Sequence, residues 1–216
     1  MNEPKPGSKP ECLLLIGTYC PHCPQVLAAL GDMIKQGEIS RLTVVNIEQQ
    51  PELAGELNIR SVPWIKLGDV ELTGLHSLQE LRQWAGSAGT VDGMVLYLNE
   101  LLTTARLPEA IQLVKDKPEY LKGIMSILGN QDAKINVRVG IGVIMEELQG
   151  SAVLRAYLDQ LGQLTRHQAA PVRSDAAHYL SLTGSPDAKP YLQALLNDDS
   201  AEVREIAEDG LAELEA

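Results

Sequence analysis

The 216-residue sequence has few features that would mark it for export, for a membrane or for nucleic acid. It holds three cysteines, Cys12, Cys20 and Cys23, too few for the disulfide framework of a small secreted domain. No segment approaches the roughly 20 uninterrupted apolar residues that a membrane-spanning helix needs. The opening MNEPKPGSKP has no apolar core of the kind a signal peptide carries, and residues 1–10 read as a disordered tail. No cluster of Lys and Arg occurs, and the formal net charge is −11. Such a field repels phosphate, so neither nucleic acid nor an anionic membrane is expected as a partner. With no export signal, the expected setting is cytoplasmic, among reduced thiols.

What is present divides into two halves. Residues 1–86 hold 7 basic and 10 acidic residues, and residues 87–216 hold 11 and 19, so most of the acidity lies in the second half. In the first half, CLLLIG from residue 12 is a continuous apolar run suited to a strand buried on both faces. Val26, Leu27, Leu30, Met33 and Ile34 then recur at helical spacing, and Gly37 stands where a terminal glycine ends a helix. LTVVNI at 42–47 predicts a second strand and PELAGEL a short helix. SVPWIKL and VELTG bracket Gly68-Asp69, a two-residue hairpin loop, and Ser77 with Glu80 forms a capping box opening SLQELRQWA. The order βαβαββα implies a small mixed sheet with helices on its faces.

Across residues 12 to about 86, TYCPHC after a strand, then NIEQQP, then SVPWI before a hairpin, resemble the thioredoxin/glutaredoxin superfamily. The fold class this implies for residues 11–86 is an α/β thioredoxin-like domain. The resemblance also implies a cis peptide before Pro63 that faces the cysteine pair and offers the Val62 backbone to an extended substrate. Thioredoxins proper carry a buried aspartate six residues before the first cysteine and a lysine in the next strand. This chain has Leu14 and Val44 there, which moves the likeness toward glutaredoxin-like domains.

The chemistry follows from the pair itself. Disulfide exchange needs an attacking thiolate, a second thiol to resolve the mixed disulfide, and a stabilised leaving anion. Cys20 at a strand-to-helix junction meets the unsatisfied N–H groups of a helix start and is expected to be the acidic nucleophile; such thiols span about 3.5 to 7. Pro21 is expected at the first helical position, and His22, when protonated, adds a cation beside the sulfur. Cys23, one turn inward, is the expected resolving thiol. Tyr19, Val62, Pro63 and Trp64 are expected to line the substrate groove, although Trp64 also reads as core filling. A closed zinc site needs four ligands, and beyond His22 only Cys12 in its apolar strand remains. No metal or other cofactor is therefore expected beyond the redox-active Cys20–Cys23 disulfide itself. Cys12 reads as an inert buried thiol, and His76, His167 and His178 show no ligand spacing.

GSAGTVDG has a boundary's composition, and residues 87–93 are expected to be a linker. From residue 94 on, strand signals vanish and eight short amphipathic helices follow. NVRVGIGVIMEEL, PVRSDAAHYLSL and EVREIAEDGLAEL repeat a Val-Arg pair, with Val137, Val172 and Val203 spaced as a helix pair would be. This pattern resembles the HEAT-repeat family in its short form, where an aspartate precedes the second helix. Asp132 with Arg138, and Asp198 or Asp199 with Arg204, keep that order, whereas the middle unit has His167 and Gln168 in the aspartate's place. An all-α HEAT-like solenoid over 94–216 is expected, with 94–116 as a cap and three helix pairs over 117–216. Arg138, Arg173 and Arg204 read as partly buried ties between repeats and loop aspartates. The expected whole is a thiol-disulfide oxidoreductase acting on a protein thiol or disulfide, with a protein partner on the helical surface. The rival is a non-catalytic assembly scaffold with a thioredoxin-like interaction domain.

Overall fold

The computed structural model describes residues 9–215, so most of the anticipated N-terminal tail lies outside the described residues. Pro10, its last residue, is already tied in: its carbonyl accepts from the Ser40 N–H at 3.0 Å and the Ser40 hydroxyl at 3.3 Å. The chain divides after Gly93 into two compact units.

The first unit runs β1 (Glu11–Ile16), α1 (Cys23–Lys35), β2 (Arg41–Asn46), α2 (Pro51–Glu56), β3 (Trp64–Leu67), β4 (Val70–Thr73) and α3 (Leu78–Ser87), the βαβαββα order read from the sequence. The sheet is ordered β2-β1-β3-β4. β1 and β2, joined through α1, are parallel, and the other two pairings are antiparallel. Gly68 turns the β3–β4 hairpin at φ +59°, a value glycine adopts without steric cost.

Register decides which side chains meet. Leu14 lies opposite both Val44 and Ile65, and directly paired residues share a face. On that face Cys12, Leu14, Ile65, Leu67, Val70 and Leu72 are all buried, as are Val26, Leu30 and Met33 of α1 and Leu81, Trp84 and Ala85 of α3. Each such large apolar side chain contributes about 2 kcal/mol on leaving water. The expectation that β1 is buried on both faces holds only in part. Leu15 is fully buried but Leu13 is not, and further along the same face Lys66 pairs with Glu71 at 2.8 Å, both half-exposed. The Ser77–Glu80 capping box opens α3 as predicted.

The expected linker is mostly built structure. Ser87 ends α3, and α4 (Val91–Thr103) starts four residues later. Thr90 Oγ1 donates to the Ser87 carbonyl at 2.7 Å and accepts from the Gly93 N–H at 3.0 Å, which closes the turn from both sides.

The second unit is all helical. After α4 come α5 (Leu107–Asp116), α6 (Leu121–Leu128), α7 (Ile135–Glu147), α8 (Ala152–Arg155), α9 (Leu158–Leu164), α10 (Ala170–Leu182), α11 (Lys189–Leu195) and α12 (Ala201–Glu213). In chain order α6, α9 and α11 are each followed by a longer helix, α7, α10 and α12, and each is preceded by a short turn: Pro118–Tyr120, α8, and Pro186–Ala188. Residues 152–164, whose AVLRAYLDQLGQL reads as one of the eight amphipathic helices expected from the sequence, are therefore two helices. Arg155 at the end of α8 donates to the carbonyls of Gly150 at 2.6 Å and Thr183 at 3.1 Å, which anchors that turn to the end of α10 before the chain restarts as α9. The α4 helix packs closely on α6 and α7 because two positions have no side chain. A Cβ at Gly123 would stand 2.9 Å from Met94 Cβ, and one at Gly140 2.7 Å from Leu102 Cδ2.

Of the three arginines expected to tie repeats to loop aspartates, Arg173 does so through a carboxylate, while Arg138 and Arg204 find other acceptors. Arg173 Nη1 donates to its own loop's carbonyls at His167 and Gln168, both at 2.9 Å, while Nε and Nη2 grip the Asp198 carboxylate of the next loop at 2.7 Å each. Arg204 repeats the first half, donating to the Asp198 and Asp199 carbonyls. Arg138 reaches forward as well, but the middle loop offers no carboxylate. It bonds instead to the Pro171 carbonyl at 3.0 Å and to Asp175, inside α10. Each carboxylate tie therefore runs to the following repeat, and Asp175 takes the role that His167 and Gln168 cannot fill. The Arg173 guanidinium holds Asp198 well down, to about 2, whereas burial pushes Asp175 up against the pull of Arg138.

Candidate active site

The site is built on the loop between β1 and α1. Gly17 opens it, and a Cβ there would stand 3.2 Å from Val62 Cγ2 and 3.4 Å from Glu48 Oε1, so a side chain would crowd the point where three segments meet. The loop is then pinned from the end of β2. The Thr18 N–H donates to Glu48 Oε1 at 2.9 Å, Asn46 Nδ2 donates to Thr18 Oγ1 at 3.1 Å, and the Glu48 N–H returns to Asn46 Oδ1 at 2.9 Å. Cys20 closes a turn onto the Gly17 carbonyl at 3.3 Å.

Cys20 and Cys23 are joined as a disulfide with their Cα atoms 5.5 Å apart. Cys23 is 4% exposed and Cys20 is half-buried, so one sulfur faces the outside and the other is sheltered. The Cys23 backbone N–H points at Cys20 Sγ, 3.1 Å away. A donor already aimed at a sulfur stabilises the negative charge that appears there on reduction. On the other side the Val62 carbonyl oxygen lies 3.6 Å from Cys20 Sγ, and the Val62–Pro63 peptide bond is cis.

The helix start needs correction. α1 begins at Cys23 with His22 at its cap, and Pro24 occupies the first turn, not Pro21. Cys20, Pro21 and His22 all precede the helix, so the amino end acts on Cys20 through the Cys23 N–H rather than by Cys20 sitting within it. The sequence misled because both prolines suit a first turn and only one can take it. Tyr19, at 92% exposed, and His22 stand out into solvent beside the pair. Val62 stands against it through its carbonyl, and Pro63 is buried. Trp64 is 4% exposed in β3, opposite Leu15, so it fills the core and has too little free surface to wall a groove.

Leu14, where a relay carboxylate would sit, is fully buried, and its partner Val44 is partly exposed on the edge strand. Burial pushes the Cys12 thiol up to about 12, as fits an inert core residue. Among the described residues no group of three or more His, Cys, Asp or Glu is placed to hold a metal ion. The sequence assigns no role to Gly17, Asn46 or Glu48, although the last two lie within NIEQQP. Their one local signal is the Asn-Ile-Glu that ends the second strand, an asparagine spaced to accept from the backbone two residues on.

Two family profiles match the chain. One described as Thioredoxin domain covers residues 13–86, and one described as HEAT repeats covers residues 121–212. No curated protein matches it closely enough to count as a relative. The chain thus joins a thioredoxin-like domain, with a disulfide-forming cysteine pair, to a HEAT-repeat-like helical domain.

Proposed function

We propose that the protein is a thiol-disulfide oxidoreductase in which Cys20 is the exchanging sulfur and Cys23 the resolving one. The observation that carries this is the asymmetry of the pair: a half-buried Cys20 with a backbone N–H aimed at its sulfur, bonded to a Cys23 that is 4% exposed. In the reducing direction the Cys20 thiolate attacks a substrate disulfide, forms a mixed disulfide and releases one substrate thiolate. Cys23 then loses its proton and attacks Cys20 Sγ, which expels the second substrate thiol and leaves the Cys20–Cys23 disulfide. A small thiol or a second dithiol protein restores the reduced pair. The oxidising direction is the same sequence reversed. His22, exposed beside the sulfur, adds positive charge when protonated, and Pro21 stiffens the loop. Tyr19 and the Val62–Pro63 segment contact the substrate chain, with the Val62 backbone pairing an extended peptide.

In this reading the HEAT-like unit docks a protein partner, and the setting is cytoplasmic. Among the described residues, no helix is long and apolar enough to cross a membrane. A Cys23→Ser variant, which leaves Cys20 without its resolving thiol, is expected to accumulate mixed disulfides with its substrates. Recovery of none, under conditions that trap a control thioredoxin-like protein, would sink the proposal.

One observation favours the rival reading of a non-catalytic scaffold: the buried Leu14 at the position of a proton-relay carboxylate. If Cys20→Ser preserves the biological role while substitutions on the helical surface abolish it, the scaffold reading stands instead.

A further inference from the structure

Glu48 is engaged with the active-site loop yet has no part in the exchange steps above. Its carboxylate accepts from the Thr18 N–H at 2.9 Å, two residues before Cys20. A Cβ built on Gly17 would be 3.4 Å from Glu48 Oε1 and 3.9 Å from Cys20 Cβ. The carboxylate therefore lies within roughly 7 Å of Cys20 Cβ, inside the screening length of about 8 Å at physiological ionic strength. We infer that Glu48 is a positioning residue with an electrostatic second role: it holds the Cys20 loop in place, and its negative charge opposes the Cys20 thiolate and makes the dithiol couple more reducing.

The two influences on the sulfur have opposite signs. The Cys23 N–H at 3.1 Å favours the anion, and the carboxylate disfavours it. The loop itself also carries Tyr19 and His22, and the segment that brings the Val62 carbonyl to Cys20 carries Arg60 two residues earlier. With the buried relay position occupied by Leu14, Glu48 is the carboxylate that the fold brings to this loop by a hydrogen bond. At about 7 Å, with the high effective dielectric of an exposed site, one charge shifts a thiol's titration by about half a unit to one unit. That corresponds to about a threefold to tenfold change in the dithiol–disulfide equilibrium, or about 15 to 30 mV for a two-electron couple.

This inference rests on Cys20 being the exchanging thiol, but its test does not need turnover. In the full-length protein, Glu48→Gln keeps an oxygen that can accept from Thr18 and removes only the charge. The pH dependence of Cys20 alkylation in the reduced protein is expected to move down by about half a unit to one unit. The equilibrium with a glutathione redox buffer is expected to move by about threefold to tenfold toward the more oxidising side. Both differences from wild type should shrink at 1 M salt, where the screening length is about 3 Å. Glu48→Ala should show the same charge effect and, in addition, slower exchange from the loosened loop. If Gln titrates and equilibrates like wild type while Ala alone is impaired, Glu48 is only a structural tie and the inference is overturned. If wild-type Cys20 titrates as expected but the pair never exchanges with glutathione, the functional reading fails and the titration still decides the role of Glu48.

Discussion

The two units use hydrogen bonds to carboxylates in different places. In the thioredoxin-like unit, backbone and carboxylate groups converge on the exposed loop that carries Cys20. In the HEAT-like unit the comparable investment is turned inward: the Arg173 guanidinium, 11% exposed, satisfies two carbonyls and the Asp198 carboxylate and so fastens one repeat to the next. The first arrangement holds a half-buried sulfur at the surface, and the second encloses a charged group, with Ser174 Oγ beside it the one buried polar side-chain atom left without a partner among the described residues. Removing a side chain should therefore cost chemistry in the first unit and stability in the second.

The largest expected effect is on chemistry alone. Cys20→Ser should reduce disulfide exchange to the uncatalysed background, while urea unfolding of the helical unit stays within about 0.5 kcal/mol of wild type. A parallel loss of helical stability would erase the distinction between the units. Arg173→Ala is the mirror experiment. It strands a sheltered carboxylate and should destabilise the helical unit by about 3 kcal/mol in denaturant melts, with exchange by the cysteine pair unchanged where the protein remains folded.

Acid sharpens the comparison within the second unit. Asp198 is held well below its ordinary range by Arg173, so the stability it confers is complete above pH of about 4 and is lost as pH falls through about 2. Asp175 has the opposite sign, because burial raises it. The folded state binds its proton more tightly, and acidification relieves a cost that is present at neutral pH. Asp198→Asn should therefore flatten acid unfolding between pH of about 4 and 2 and lower neutral stability, whereas Asp175→Asn should cost much less at neutral pH. Equal losses from the two variants would show that the forward ties do not differ.

A smaller effect is expected at Gly17, where packing and chemistry meet. Gly17→Ala should cost the first unit about 1 to 2 kcal/mol and slow exchange several-fold, since Val62 Cγ2 or Glu48 must give way. Ser77→Ala, which removes the α3 capping box far from the cysteines, should cost about 1 kcal/mol and leave exchange unaltered.

Most of the fold was legible because its signals are local and redundant. The apolar run at 12–17, the Gly68 turn and the Ser77–Glu80 box each specify one element, and together they give the order. The repeated Val-Arg likewise marked α7, α10 and α12. What sequence did not disclose was set by long-range geometry. Glu48 meets Thr18 only because β2 runs parallel beside β1, and no pattern within either segment shows that pairing. Arg138 reaches Asp175 rather than an aspartate in a loop because the next repeat lies within its span. The break between α8 and α9 contains neither proline nor glycine. It accompanies a tie from Arg155 to residues at the end of α10, which are invisible from residue 155 alone. The misplaced start of α1 was of another kind: two prolines, Pro21 and Pro24, competed for one first turn.

The burial of Cys12 has a practical consequence for reading the state of this protein. With its thiol pushed up to about 12 and kept from solvent, it should ignore alkylating reagents while the chain is folded. Electrophile labelling of native protein then reports the cysteine pair alone, with no label while the pair is closed. A third label becomes an internal gauge of how much of the sample has unfolded.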